Sequence, residues 1–190
     1  MPALLAEADQ MTVEEFLAMA AARPDGERWE LIEGVAIMTA SPTQWHQVIA
    51  SNILHSLMSI KIERNAGWTP MLGVGTRVPI SRNSLPQPDV YVQEGRPQDN
   101  SQTDDALVIF EILSRSNTKA DRAWRKRVYA SVPNCQHYVT VATKAAEVIR
   151  FDRADGWRGE TLTGLDATLE LNAIQASLPL RTIYRWTPIA

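Results

Sequence analysis

A single cysteine, Cys135, stands in the whole chain. That scarcity excludes an internal disulfide and a zinc site built on cysteines. Long apolar runs are missing too, and none approaches the roughly 18 uncharged residues that a membrane helix needs. The opening stretch MPALLAEADQ is apolar but acidic, without the basic start and long hydrophobic centre of a signal peptide. Together these absences point to the cytoplasm. An excess of positive charge is lacking as well: the net charge is −3 and the sequence pI about 5.6. That balance argues against a protein that coats DNA non-specifically. No internal repeat and no linker-like stretch interrupts the 190 residues, so one domain is expected.

The residues that are present read as alternating short helices and strands. Thr12 with Glu15 forms a capping-box signature ahead of Phe16, Leu17 and Met19, and the stretch 23–26 (Arg-Pro-Asp-Gly) ends that helix. Two apolar runs meet at Glu33-Gly34 in a tight hairpin. A second helix is predicted from Ser41 as cap and Pro42 as first helical residue. Its core stripe would be Trp45, Ile49, Ile53, Leu57 and Ile60, and Asn65–Gly67 would end it. The segments 71–80, 90–92 and 106–110 read as strands, the last apolar throughout and buried on both faces. A polar loop spans Glu94–Asp105. A third helix runs from about Thr118, with Asp121 at its third position, to about Ser131 before Pro133. Strands follow at His137–Val141 and Ala146–Phe151, and then a turn-rich, β-like tail from 152 to 190. The third helix carries Trp124 beside Val128, and both it and Trp45 are expected in the core.

Asp89 follows Pro88 at the mouth of one strand, and Glu111 follows the apolar run that ends at Phe110. If these strands are neighbours, both carboxylates project at one end of the sheet. Two carboxylates brought close repel unless a cation or a proton lies between them, and a hard divalent ion such as Mg²⁺ suits oxygen donors. Burying Glu111 unpaired would cost several kcal/mol. Beside it, the stretch from Arg115 to Arg127 holds six basic residues (Arg115, Lys119, Arg122, Arg125, Lys126 and Arg127) against one acid, Asp121. That run is either a solvated helix face or a phosphate-binding patch.

Glu30-Leu-Ile-Glu-Gly34, His46 on the following helix, Pro88-Asp89, Glu111-Ile-Leu-Ser114, then Asp121 and Tyr129 form an ordered set. It resembles the putative restriction endonucleases of bacterial genomes, a branch of the PD-(D/E)xK nuclease superfamily. The likeness runs from about Thr12 to about Phe151 and implies an α/β (α+β mixed) fold, a mixed central sheet flanked by helices. The tail from 152 would be a β-rich extension of the same domain. The resemblance further implies a Mg²⁺-dependent endonuclease, with Mn²⁺ as substitute ion, acting on nucleic acid and on DNA first. Asp89, Glu111 and the backbone carbonyl of Ile112 would be the metal ligands, with Glu30 and His46 beside them. Arg115, Lys119, Arg122 and Arg125 would meet the phosphates. A homodimer is implied by the likeness alone.

The sequence departs from that pattern where a lysine is expected. Leu113 stands two residues after the second acid, and Arg125 stands four residues after Asp121, with Lys126 next to it. Arginine holds a phosphate but does not give up its proton as a general base. A nucleic-acid-binding or interaction module on the same fold is therefore the second expectation. A hydrolase of a small ester is the third.

Overall fold

The structure, a computed structural model, describes residues 10–24, 26–114 and 117–190. The amino-terminal stretch through residue 9, Asp25 of the first helix stop and Arg115 of the basic run lie outside the described residues. In chain order the elements are α1 (Val13–Ala21), β1 (Trp29–Ile32), β2 (Val35–Met38), α2 (Gln44–Arg64), β3 (Trp68–Leu72) and β4 (Gly75–Thr76). Then come β5 (Val90–Glu94), β6 (Gln102–Thr103), β7 (Val108–Ile112), α3 (Lys119–Ala130), β8 (His137–Val141) and β9 (Glu147–Asp152). The tail supplies β10 (Gly159–Thr163), β11 (Thr168–Leu171), β12 (Ala176–Pro179) and α4 (Leu180–Ile183).

Six strands form a mixed sheet in the order β10-β9-β8-β7-β5-β3. Within it only β7 and β8 run parallel, and every other neighbour is antiparallel. A parallel pair needs a crossover between its strands, and α3 is that crossover. Strand side chains alternate between faces, and the central strands sort their residues accordingly. Val90, Val92, Val108, Phe110, Ile112, Val139 and Val141 join one core with Ile49, Ile53 and Leu57 of α2. Tyr91, Ile109 and Tyr138 join a second core with Val128 and Tyr129 of α3. Glu111 falls in step with Ile109, so its carboxylate lies on the α3 face.

A third, smaller core of Val13, Phe16, Leu31 and Leu85 ties α1 to the β1–β2 hairpin. Leu31 and Leu85 exchange both backbone hydrogen bonds, at 3.4 and 2.7 Å. This bridge holds the hairpin against the segment that leads into Asp89. The hairpin turn places Glu33 (φ 48°) and Gly34 (φ 81°) in the left-handed region, which matches a tight two-residue turn.

Several expectations are corrected. The second helix starts at Gln44 with Thr43 as cap, because the Thr43 hydroxyl accepts the His46 amide at 3.3 Å; Ser41 and Pro42 precede it. Trp45 is 51% exposed. Each four-residue step advances about 40° around a helix, so Trp45 sits roughly 80° away from Ile53 and leaves the core stripe. Trp124, by contrast, packs against the second core as expected, half-buried, with its indole N–H donating to Glu33 Oε1 at 2.9 Å. The tail contributes residues to the main core. Leu169, Leu171, Leu178, Leu180 and Ile183 are buried beside α2, and β10 forms one edge of the central sheet. Among the described residues no helix is long and apolar enough to cross a membrane.

Candidate active site

The register between β5 and β7 aligns Val90 with Phe110, and the Asp89 amide donates to the Phe110 carbonyl at 3.1 Å. Asp89 therefore lies opposite Glu111 at one end of the sheet. Its Oδ2 accepts the Ile112 amide at 2.8 Å and stands 3.2 Å from Nε2 of His46. The first turn of α2 delivers that imidazole, because the Thr43 cap fixes where the helix begins. Among the described residues nothing donates to Asp89 Oδ1.

Glu111 is 6% exposed and Glu30 3% exposed, and Arg125 lies between them. One guanidinium nitrogen donates to Glu111 Oε1 at 2.9 Å and to Glu30 Oε1 at 3.3 Å. The other reaches Glu30 Oε2 at 2.6 Å, and Nε donates to Asp121 Oδ1 at 3.2 Å. The Gln87 amide adds a fourth donor, at 2.8 Å to Glu30 Oε1. The Tyr129 hydroxyl donates to Glu111 Oε1 at 2.8 Å. Both donors to Glu111 thus use one oxygen, and among the described residues Oε2 takes none.

Burial pushes the Glu111 carboxyl up to about 8; Arg125 opposes the rise, the negative charges of Asp89 and Glu30 add to it, and the Tyr129 hydroxyl opposes it. Burial works against the Arg125 charge, but Glu111 and Glu30 more than offset it, so the guanidinium stays protonated. The Tyr129 phenol is held far above its ordinary value by burial and by the adjacent Glu111. It stays a donor throughout the working pH range.

Other expected residues are placed differently. Lys126 donates to the Trp157 carbonyl at 3.3 Å and lies 4.9 Å from the Phe151 ring centroid. One residue turns about 100° around the helix, and that rotation sends its amine towards β9 instead of β7. Arg125 is 8% exposed, and its donors are committed to carboxylates, so it is not presented to phosphates as the sequence suggested. Lys119 and Arg122 are exposed on the first turns of α3. Thr118 caps that helix by accepting the Asp121 amide, and Asn117 Nδ2 holds Asp121 Oδ2 at 2.9 Å. Leu113 is half-buried, and its amide donates to the Val141 carbonyl.

Two contributors were missed or undervalued by sequence reasoning. Tyr129, given no role in the sequence beyond the ordered set, reaches the carboxylate itself; its spacing of four from Arg125 and eight from Asp121 was the available signal. Gly73 gave none. A Cβ there would lie 1.5 Å from the Pro88 carbonyl oxygen, and the Gly73 amide donates to the Asp89 carbonyl at 3.2 Å. Gly73→Ala should therefore push the Pro88–Asp89 segment out of place. The expected result is destabilisation by about 1–3 kcal/mol, as in overpacked cores, with loss of whatever Asp89 binds. Urea unfolding and metal titration of the variant measure both.

The donors suit a hard cation of few protein ligands. Among the described residues each of the two aligned carboxylates keeps one oxygen unengaged, and Mg²⁺ commonly takes one or two carboxylates and fills its shell with water and phosphate. Among the described residues no three His, Cys, Asp or Glu side chains converge on one point as a metal site.

A six-stranded mixed sheet with a helix on each face, and acids aligned across two neighbouring strands, defines a nuclease-like α+β domain. The profile of the Uma2 family, described as "Putative restriction endonuclease", matches residues 13–181, and the chain belongs to that family. A crystal structure described as a putative nuclease belonging to DUF820, from Anabaena variabilis, matches with a TM-score of 0.74 at 16% identity. The match covers 93% of this chain and 98% of that one, and at that identity it shows the fold. No curated protein matches the chain.

Proposed function

We propose that this protein is a Mg²⁺-dependent endonuclease that hydrolyses phosphodiester bonds, with DNA as its substrate. The observation that carries the reading is the alignment of Asp89 with Glu111, each with one carboxylate oxygen unengaged among the described residues. Asp89 and Glu111 would hold the ion together with the Ile112 carbonyl. A bound divalent ion would polarise a phosphoryl oxygen and lower the pKa of an attacking water. His46, 3.2 Å from Asp89, is positioned to orient that carboxylate and to carry a proton at Nε2. Arg125 and Tyr129 are positioning residues that fix the Glu111 carboxylate. Lys119 and Arg122, exposed at the start of α3, would contact phosphates outside the site. The family's description as restriction endonucleases favours DNA over other phosphodiesters.

The test is calorimetric titration of Mg²⁺ and Mn²⁺ into the wild type, Asp89→Ala and Glu111→Ala, followed by cleavage assays. Wild-type binding, lost in both variants while they stay folded, with metal-dependent cleavage of DNA, is the expected outcome. A protein that binds neither ion, with or without DNA, refutes it. One observation favours a second reading, a catalytically impaired nucleic-acid-binding module. Arg125 occupies the helical position where a lysine is expected, and Lys126 turns away to Trp157. That reading predicts DNA binding that falls steeply with salt and needs no metal.

A further inference from the structure

We infer that the exposed face of α2, with the C-terminal corner at Arg185 and Trp186, binds single-stranded nucleic acid by base stacking beside the acidic cluster. This rests on the nuclease reading for the site and extends it to the form of the substrate. Trp45 precedes His46, whose imidazole stands 3.2 Å from Asp89. It leaves the core at 51% exposure. Asn52 lies seven residues further on, which places it about 10 Å along the helix and within roughly 20° of the Trp45 direction. Its Nδ2 donates to the carbonyls of Ile183 at 3.0 Å and Arg185 at 2.8 Å. That pair of bonds pins the C-terminal corner onto the same face of α2.

At that corner Trp186 is 78% exposed and adopts φ 62°, a left-handed conformation uncommon for a bulky residue. The Arg185 guanidinium lies 5.5 Å from the Trp186 ring centroid. A cleft of about 200 Å³ opens between the corner and α2, lined in part by His55, Thr182, Arg185 and Trp186. Two indole rings far apart in sequence are thus held out from one surface, next to a cationic side chain.

The charge of this face fits a polyanion. The chain has 22 Asp and Glu residues, yet none lies between Gly34 and Ile62 or between Leu171 and Ala190. Those are the two segments that build the face. Among the described residues Arg185 pairs with no carboxylate. A phosphate backbone crossing here meets no carboxylate from either of these two segments. Bases in a duplex are already stacked on one another, whereas an unpaired base offers a free π-face to an indole.

The test uses the full chain in EDTA and follows anisotropy of a labelled oligothymidylate, of an abasic strand of equal length, and of a duplex. Tighter binding of the single strand than of the duplex is expected. Trp45→Ala and Trp186→Ala should each weaken oligothymidylate binding by about tenfold or more and leave the abasic strand unaffected, while Trp→Phe variants keep most of the affinity. Unchanged affinity in the alanine variants, or equal losses on the abasic strand, overturns the inference. If sedimentation shows that the alanine variants dissociate a dimer and bind the single strand as before, the face belongs to a second copy of the chain. Stacking-dependent binding without any metal-dependent cleavage would leave this inference standing and remove the nuclease reading. Cleavage without a tryptophan effect would do the reverse.

Discussion

Arg125→Ala should lower the unfolding free energy at pH 7 by about 3–5 kcal/mol, the usual cost of removing one partner from a buried ion pair. The guanidinium makes hydrogen bonds to Glu30, Glu111 and Asp121, and Glu30 is almost fully enclosed. Alanine leaves the Glu30 carboxylate with only the Gln87 amide as a donor among the described residues. It also removes the buried tie between α3 and the β1–β2 hairpin, leaving the more exposed contacts of Trp124 and Arg127 with Glu33. Urea unfolding followed by tryptophan fluorescence measures the effect. The double variant Arg125→Ala/Glu30→Gln should cost less than the sum of the two single changes, because the second change removes the stranded charge. A loss below about 1 kcal/mol, within the range of an exposed pair, would mean that water already screens the cluster.

Stability should also depend on pH through Glu111. Its folded value of about 8 lies above the ordinary 4.5, so the folded state holds the proton more tightly than the unfolded chain. The resulting stabilisation is complete below about 4.5 and is lost as pH rises through about 8, with a slope approaching about 1.4 kcal/mol per unit between them. Glu111→Gln should flatten that interval, which urea titrations at a series of pH values will show. A divalent ion binds the ionised carboxylate, so added Mg²⁺ should restore stability at pH 8 more than at pH 6. Ion binding near neutral pH should release a proton, seen as a dependence of the calorimetric heat on buffer. A flat wild-type profile across this range would place the carboxyl in its ordinary ionised state.

The acids themselves were legible in the sequence. An apolar run ending in Glu111 and a Pro-Asp ahead of Val90 pointed to two strand ends, and the antiparallel register between β5 and β7 brings them opposite one another. The helix and strand pattern from Thr12 to Phe151 was readable for the same reason, because caps and apolar periodicity are local. What was hidden depends on distance in the chain. Nothing near Gly73 indicates that the Pro88 carbonyl will lie against it. Trp45 fitted an i+4 stripe on paper, but the stripe rotates as it climbs and leaves the first turn outside the core. The tail had no strong period because its residues are buried in short pieces, each against a different part of α2 and the sheet. Arg125 was visible as a departure from the family pattern. That it lies under the surface, bound to acids from three elements, required the packing of α3 on β1 and β7.

That buried guanidinium also bears on the order of events when the protein is made. In small metal-built domains the chain cannot assemble until the ion arrives, because the ion is what quenches the repulsion of its ligands. Here the polypeptide brings a permanent counter-ion of its own, covalently attached to α3 and in place as soon as the helix docks. Assembly then needs no ion. On the metal-dependent reading proposed above, a freshly synthesised copy would reach its native shape first and take up its ion afterwards.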